Sequence, residues 1–437
     1  MNANDTPSSN NLTSNTPTNN THNITHNITH TTFAVDLDHQ ALLSIKGPDA
    51  CKFLQGQVTC DLYQTDTQVM LGAHCNHKGR IIFSFLAQVH NPEHITLRLP
   101  TEQLELARTT LGKYIVFSKA EISIDTRQKI GVWGSSAQSL IEAFSGIEFS
   151  QTNNDKGDNH PTALSFHSND HSHANDTFIQ LHSDRYECWL SPESYTQLTH
   201  SLTPQYWQHG ADKSLPDHSL LNKTPSNKHL LNWQLLDMDQ GIVHVQPATV
   251  GLLIPQMLNY QHLGGISFTK GCYTGQEVVA RMQYHGKLKR HLHRAQLHST
   301  QEDTPLSAAA PNVGDPVYST KNTSCDPSSL ESSCGFIVAF VNTIANTPTN
   351  KSTCDTQTNN PHGEILMVIT DKSAQQDNLY LNSIQPQRLQ NPLQSQPPSQ
   401  RQNHPQQHRE ETLERQILTL QQPPYAINNE EHNIDSD

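Results

Sequence analysis

The stretch from Leu263 to Arg281, L-G-G-I-S-F-T-K-G-C-Y-T-G-Q-E-V-V-A-R, constrains the fold of this chain more than any other. Its glycines at 264, 265 and 271 let the backbone turn tightly and approach another group closely. Thr274 stands three residues before Glu277, the spacing of a capping box, so a short helix is expected to begin at Gly275. Val278, Val279 and Met282 are its expected inward side chains. Cys272 then lies just outside a helix N-terminus and two residues from Lys270, and both neighbours favour a thiolate. The alternative for a lone cysteine is a small buried hydrophobe in a turn.

Only 34% of the 437 residues are hydrophobic, and the mean hydropathy is −0.63. Asn-, Thr-, Ser-, His- and Gln-rich segments cause this, and between them the chain has an ordinary globular composition. No apolar run nears the roughly 20 residues of a membrane span, and the N-terminus has no hydrophobic signal region. The expectation is a soluble, cytoplasmic protein. The eight cysteines form no C-x-x-C pair, which suggests neither a disulfide framework nor a zinc knuckle. A net charge of −13 argues against a broad nucleic-acid surface. The local exception is Lys287, Lys289, Arg290 and Arg294 with His285, His291 and His293, which reads either as a solvated strand approach or as a contact for an anion.

Residues 1–32 read as a disordered tail, although His22, His26 and His30 are four apart; their Asn- and Thr-rich setting disfavours the helix a metal site would need. Strands are expected at Ala41–Ile45, Val69–Ala73, Ile81–Leu86, Ile95–Leu99, Glu121–Ile124 and Ile130–Trp133. Helices are expected after Asp49, over Glu102–Leu111 and near Gln138–Phe144. His74, Cys75 and His77 fall in a tight turn ending at Gly79, too crowded to converge on a metal. Residues 151–177 read as a disordered insertion, followed by a hairpin of Phe178–Leu181 and Tyr186–Leu190 and a helix after Ser191-Pro192. Leu230–Val245 returns to a core pattern. Leu292–Leu297, Pro316–Tyr318, Gly335–Phe340 and Glu364–Ile369 are short strands in the pattern of a small antiparallel barrel, interrupted by an insertion at 341–362. From residue 385 to 437 the chain reads as a disordered tail, apart from a short helix around Glu411–Leu420.

Lys270-Gly271-Cys272-Tyr273-Thr274-Gly275-Gln276-Glu277, flanked by Ile254-Pro255-Gln256-Met257-Leu258-Asn259 and by Val278-Val279-Ala280-Arg281, resembles the signature of the YgfZ-type folate-binding proteins, relatives of the glycine-cleavage T-protein (aminomethyltransferase). Gln55–Leu62 and Lys113–Ser118 resemble the same family. The resemblance implies an α+β fold in which residues 33–290 form T-protein-like folate-binding lobes and 291–384 a C-terminal β-barrel. It also implies a tetrahydrofolate or a related folate as cofactor. By the family's pattern, Trp233 matches a folate-binding aromatic, Asp239 stands where relatives have Glu, and Gln40 stands where some have a second Trp. An indole can stack on a pterin, and a carboxylate can accept two N–H donors from its amino-pyrimidine edge; Trp233 as plain core is the alternative. Cys272 would face the folate cavity as a reactive thiol activated by Lys270, with Tyr273 and Arg281 supplying a hydrogen bond and an anion contact.

The function implied is a folate-binding accessory protein supporting iron–sulfur enzymes, its client partners, and through them tRNA modification. Direct contact with tRNA stays open. The alternative is a folate-dependent aminomethyl transferase like the T-protein, from which this chain departs in having Phe83-Ser84 where the T-protein carries an Asp-Asp pair.

Overall fold

The computed structural model describes residues 32–63, 68–149, 163–166, 175–202, 207–208, 228–298, 312–319, 335–342, 363–370, 379–382 and 415–421. The chain opens with β1 (Phe33–Asp36), β2 (Gln40–Lys46), α1 (Ala50–Gln55), β3 (Gln68–Cys75), β4 (Ile81–Asn91) and β5 (His94–Pro100). Next come α2 (Leu104–Ile115), β6 (Glu121–Asp125), β7 (Gln128–Trp133), α3 (Ala137–Ser145), β8 (Ala163–Phe166), β9 (Thr177–His182) and β10 (Arg185–Leu190). After α4 (Pro192–Ser201), β11 (Trp207–Gln208), α5 (Lys228–Asp239) and α6 (Gln276–Tyr284), six strands follow. They are β12 (Arg290–His298), β13 (Pro316–Ser319), β14 (Gly335–Asn342), β15 (Gly363–Thr370), β16 (Leu379–Asn382) and β17 (Arg415–Gln421).

The first eleven strands make one sheet in the order β11-β1-β7-β10-β9-β8-β3-β4-β5-β2-β6, with β1 and β11 parallel and the other neighbours antiparallel. Period-two alternation gives each strand one apolar side. On β4 and β5, Phe83, Phe85, Ala87, Val89, Ile95, Leu97 and Leu99 pack with α1 and α2. On β7 and β10, Ile130, Val132, Tyr186, Cys188 and Leu190 pack with α3 and α4. The opposite side of the sheet carries Leu42 of β2, Leu86 of β4 and Trp189 of β10 into a third cluster, which also holds Trp233 and Met238 of α5 and Leu292, Val338 and Val368 of the second sheet. The polar residues of matching parity are buried on that side too: Gln40, Ser84, Arg98, Arg185 and Glu187. The second sheet runs β12-β15-β14-β13-β16-β17, and β17 pairs back onto β12.

Strand and helix expectations in the first sheet agree with these elements. Ser191 caps α4 as its sequence suggests, accepting from the Ser194 N–H. Three expectations are corrected. The segment 151–177 contains β8, which joins β3 to β9, because the gap between two half-sheets needs a strand with pairing partners on both sides. The segment 385–437 contains β17, and the helix expected at Glu411–Leu420 is a strand bonded to β12 and β16. Local composition there favours neither state, and two waiting sheet edges decide it. Asp49 precedes α1 but makes no cap; its carboxylate accepts instead from the Lys119 N–H at 2.8 Å. His22, His26 and His30, with the rest of 1–31, lie outside the described residues, as do 343–362 and 422–437.

Candidate ligand cleft and signature loop

The signature loop is built by packing. Gly275 is the residue before α6, with φ of 85°, and a Cβ there would lie 2.5 Å from the Asn76 carbonyl oxygen. That close approach lets the loop seat on the β3–β4 hairpin, where Gly79 in turn lies under Val278. The capping box expected of Thr274 and Glu277 does not form. Thr274 donates to Gln57 Oε1 at 3.4 Å, Glu277 is exposed, and the Gln276 side chain accepts from the Tyr273 N–H at 3.3 Å. Of the expected inward residues Val279 is fully buried, while Val278 and Met282 are half-buried.

Lys270 is 8% exposed, and its ammonium donates to the carbonyls of Gln55, Val58 and Cys60 at 2.8, 2.8 and 2.7 Å. An ammonium has three N–H donors, and all three are spent here. Burial lowers its pKa to about 8 against opposing help from Cys60 and Asp61. Through these three bonds Lys270 clamps the α1–β3 loop to the signature loop, and none of its donors is left for a hydrogen bond to Cys272. Tyr273 is buried with the Lys270 ammonium 5.2 Å from its ring centroid. Cys272 is exposed, whereas Cys51, Cys60, Cys75 and Cys188 are buried. Gly271 and Arg281 are exposed as well.

A separate cleft of about 150 Å³ opens between α5, the β2 entry and the second sheet, lined by His39, Gln40, Asp237, His244, Gln246 and, from the second sheet, Val338. Behind it lies a hydrogen-bonded network. Arg98 donates to Glu187 at 3.0 Å, to Gln40 at 3.3 Å and to His244 Nε2 at 3.1 Å. A guanidinium only donates, so Nε2 is the acceptor and the proton sits on Nδ1, which faces Ser84 Oγ at 3.2 Å. Ser84 also accepts from the Val245 N–H at 2.9 Å. Burial first, and then the Arg98 charge, push His244 down to about 3, so it is neutral at pH 7. The Nδ1 of His39 and the Nε of Arg98 are buried atoms without a hydrogen-bond partner.

The three folate-ligand candidates part company here. Gln40 lines this cleft. Trp233 does not; it is 1% exposed, with the Arg185 guanidinium 4.0 Å from its ring centroid and Gly131 so close that a Cβ would lie 2.7 Å from the indole. An aromatic in an apolar helix goes to the core, and the stacking role expected of it is corrected. Asp239 sits at the end of α5, half exposed, and pairs with Arg294. Asp237, two residues earlier, is the carboxylate at the cleft and accepts from Arg185 at 2.6 Å. No signature-loop residue, Cys272 included, lines this cleft among the described residues. Sequence reasoning missed Asp237, His244 and Arg98. For Arg98 and its partner Glu187 the signal was alternation: β5 reads Ile95-Thr96-Leu97-Arg98-Leu99 and β10 reads Arg185-Tyr186-Glu187-Cys188, polar sides that would be solvated unless something covers them; Asp237 on α5 and His244 after it carried no such signal.

No family model matches the chain. The tRNA-modifying protein YgfZ of Colwellia psychrerythraea is 34% identical over 265 residues, 60% of this chain and 70% of that protein. Its counterpart in Photobacterium profundum is 30% identical over 64% of this chain and 75% of that one. Among solved structures, the glycine cleavage system aminomethyltransferase T from Bartonella henselae superposes with a TM-score of 0.57 at 10% identity, covering 90% of this chain and 86% of that one. That likeness concerns the fold, whereas the identity to the sequence relatives spans most of their length. The chain belongs to the YgfZ family.

Proposed function

We propose that this protein is a folate-binding accessory protein that supports iron–sulfur enzymes in the cytoplasm and, through them, tRNA modification. The observation that carries the reading is the cleft at Gln40 and Asp237, backed by the Arg98–Glu187–His244 network. The donor set suits a pterin. Asp237 is a carboxylate able to accept from an amino-pyrimidine edge, and the Gln40 amide and the unpartnered His39 Nδ1 offer further polar contacts. At about 150 Å³ the cavity is below the roughly 300 Å³ of pockets that enclose a whole ligand, so it would hold the ring system and leave the glutamyl tail outside. The second sheet, read as the family's C-terminal barrel, supplies one wall. A bound tetrahydrofolate would carry one-carbon chemistry; this chain's residues bind and orient it.

Names of the relatives and the likeness to the T-protein support a folate and tRNA-modification setting. In our reading Cys272, exposed and away from the cleft, serves a client protein rather than the folate. Where the T-protein carries its Asp-Asp pair, Phe83 and Ser84 are both buried and Ser84 is committed to His244 and Val245. That arrangement supports binding over aminomethyl transfer.

The test is calorimetric titration with tetrahydrofolate of the wild type, Gln40→Ala, Asp237→Asn and Cys272→Ala, each checked for an unchanged melting temperature. Binding that weakens at least tenfold in Asp237→Asn and is kept in Cys272→Ala is expected. No binding by the wild type, or equal binding by Asp237→Asn, would sink the reading.

A further inference from the structure

Away from the cleft, the β3–β4 turn, the segment around Met257, α6 and the α6–β12 connection enclose a groove of about 380 Å³. Its floor is aliphatic, made by Ile254, Met257, Val278, Met282 and Leu288; its rim is Lys78, Arg80, Lys287, Lys289 and Arg290. The described lining has no carboxylate and no aromatic ring. In a chain of net charge −13, five cations around one apolar groove are a local reversal of sign. Arg80 is held in place by donating to the Leu252 carbonyl at 2.6 Å. The absence of rings from this lining disfavours nucleic-acid bases, which stack on aromatic faces. An aliphatic floor with a basic rim suits an acidic peptide with aliphatic anchors.

Such a peptide follows β17 in this chain. Gln422-Pro-Pro-Tyr-Ala-Ile-Asn-Asn-Glu-Glu-His-Asn-Ile-Asp-Ser-Asp437 carries Glu430, Glu431, Asp435 and Asp437 and no Lys or Arg, with Tyr425, Ile427 and Ile434 as apolar side chains. The register of β17 also aims it. Ile417 pairs with His298 and Gln421 with Arg294, so the strand runs toward the start of β12, and Arg290 at that start belongs to the groove rim. Arg294 to Arg290 is about 13 Å of strand, well within the roughly 50 Å that residues 422–437 can span. Pro423 and Pro424 have no N–H with which to prolong the ladder, so the chain has reason to leave the sheet there. We propose that the groove is a peptide-docking site occupied by this chain's own segment 422–437. The proposal is independent of the folate cleft.

The experiment uses the full-length protein, a Glu430→Gln/Glu431→Gln/Asp435→Asn variant, a Lys287→Glu/Lys289→Glu variant, and a synthetic peptide of residues 422–437. Hydrogen exchange is followed over the peptides containing Met257 and residues 278–290. In the tail variant these should exchange at least threefold faster at an unchanged melting temperature. The free peptide should bind the tail variant at least tenfold more tightly than the groove variant, with affinity falling as salt rises. Combining Lys287→Glu/Lys289→Glu with Glu430→Lys/Glu431→Lys should restore protection. Equal exchange in wild type and tail variant, or equal binding of the peptide to both variants, overturns the proposal. Binding of a decauridylate at the groove in place of the peptide would overturn it in favour of nucleic acid.

Discussion

Lys270 shows how a charged residue can sit in a signature for structural reasons. Its position two residues before Cys272 invites an electrostatic role, yet its three donors end on three backbone carbonyls of the α1–β3 loop. Carbonyls buried in this way need partners, and a loop between a helix and a strand supplies none from its own ladder. Lys270→Met keeps the length of the side chain and removes the donors, so the carbonyls lose their partners. A loss of about 3 kcal/mol in urea unfolding is expected, at about 1 kcal/mol or more per orphaned group. The rate at which iodoacetamide labels the Cys272 peptide, read by mass spectrometry on native protein in mild conditions, should change less than twofold. A large fall in that rate with unchanged stability would return Lys270 to the role of thiol activator.

At the scale of elements, much of the first sheet was legible because its strands alternate, and α2, α3 and α4 were legible from apolar period and the Ser191 cap. What was not legible depends on contacts distant in sequence. β8 is a strand because β3 and β9 flank it, and Asp237 rather than Asp239 reaches the cleft because of how α5 is rotated against β14. The start of α6 is a mixed case. Its position follows from sequence, but its cap is a left-handed glycine and not the Thr274–Glu277 pair, because the hairpin carbonyl of Asn76 leaves no room for a side chain at 275. Two substitutions separate the glycines of the signature. Gly275→Ala meets Asn76 O at 2.5 Å in a left-handed conformation and should cost about 2–3 kcal/mol. A Cβ at Gly271 meets nothing within 4 Å, so Gly271→Ala should fall within about 0.5 kcal/mol of wild type by chemical denaturation. Equal losses would mean that the loop, not the seat on the hairpin, sets the need for glycine.

For the molecule as a whole, the large central cluster joins α5, the first sheet and the second sheet, so stability and cleft geometry depend on strands far along the chain. β17 carries this dependence furthest. It comes after residues whose composition gives no structural cue, yet it bonds β12 on one side and β16 on the other. Without it both strands become open edges, and an unpaired edge invites pairing with another copy. Two truncations separate the strand from the sixteen residues that succeed it in the sequence. Ending the chain at residue 421 keeps every β17 pair, so the second sheet should hold its melting temperature within about 2 °C, while the groove at Met257 and residues 278–290 loses its proposed occupant and exchanges faster. Ending it at 414 removes the strand, uncovers the β12 edge at Arg294–His298 and should lower the melting temperature by several degrees while shifting the protein to larger species in light scattering. If the shorter chain keeps the full-length protein's size in light scattering with an unchanged transition, the second sheet does not need β17, and the coupling between the end of the chain and the cleft is lost with it.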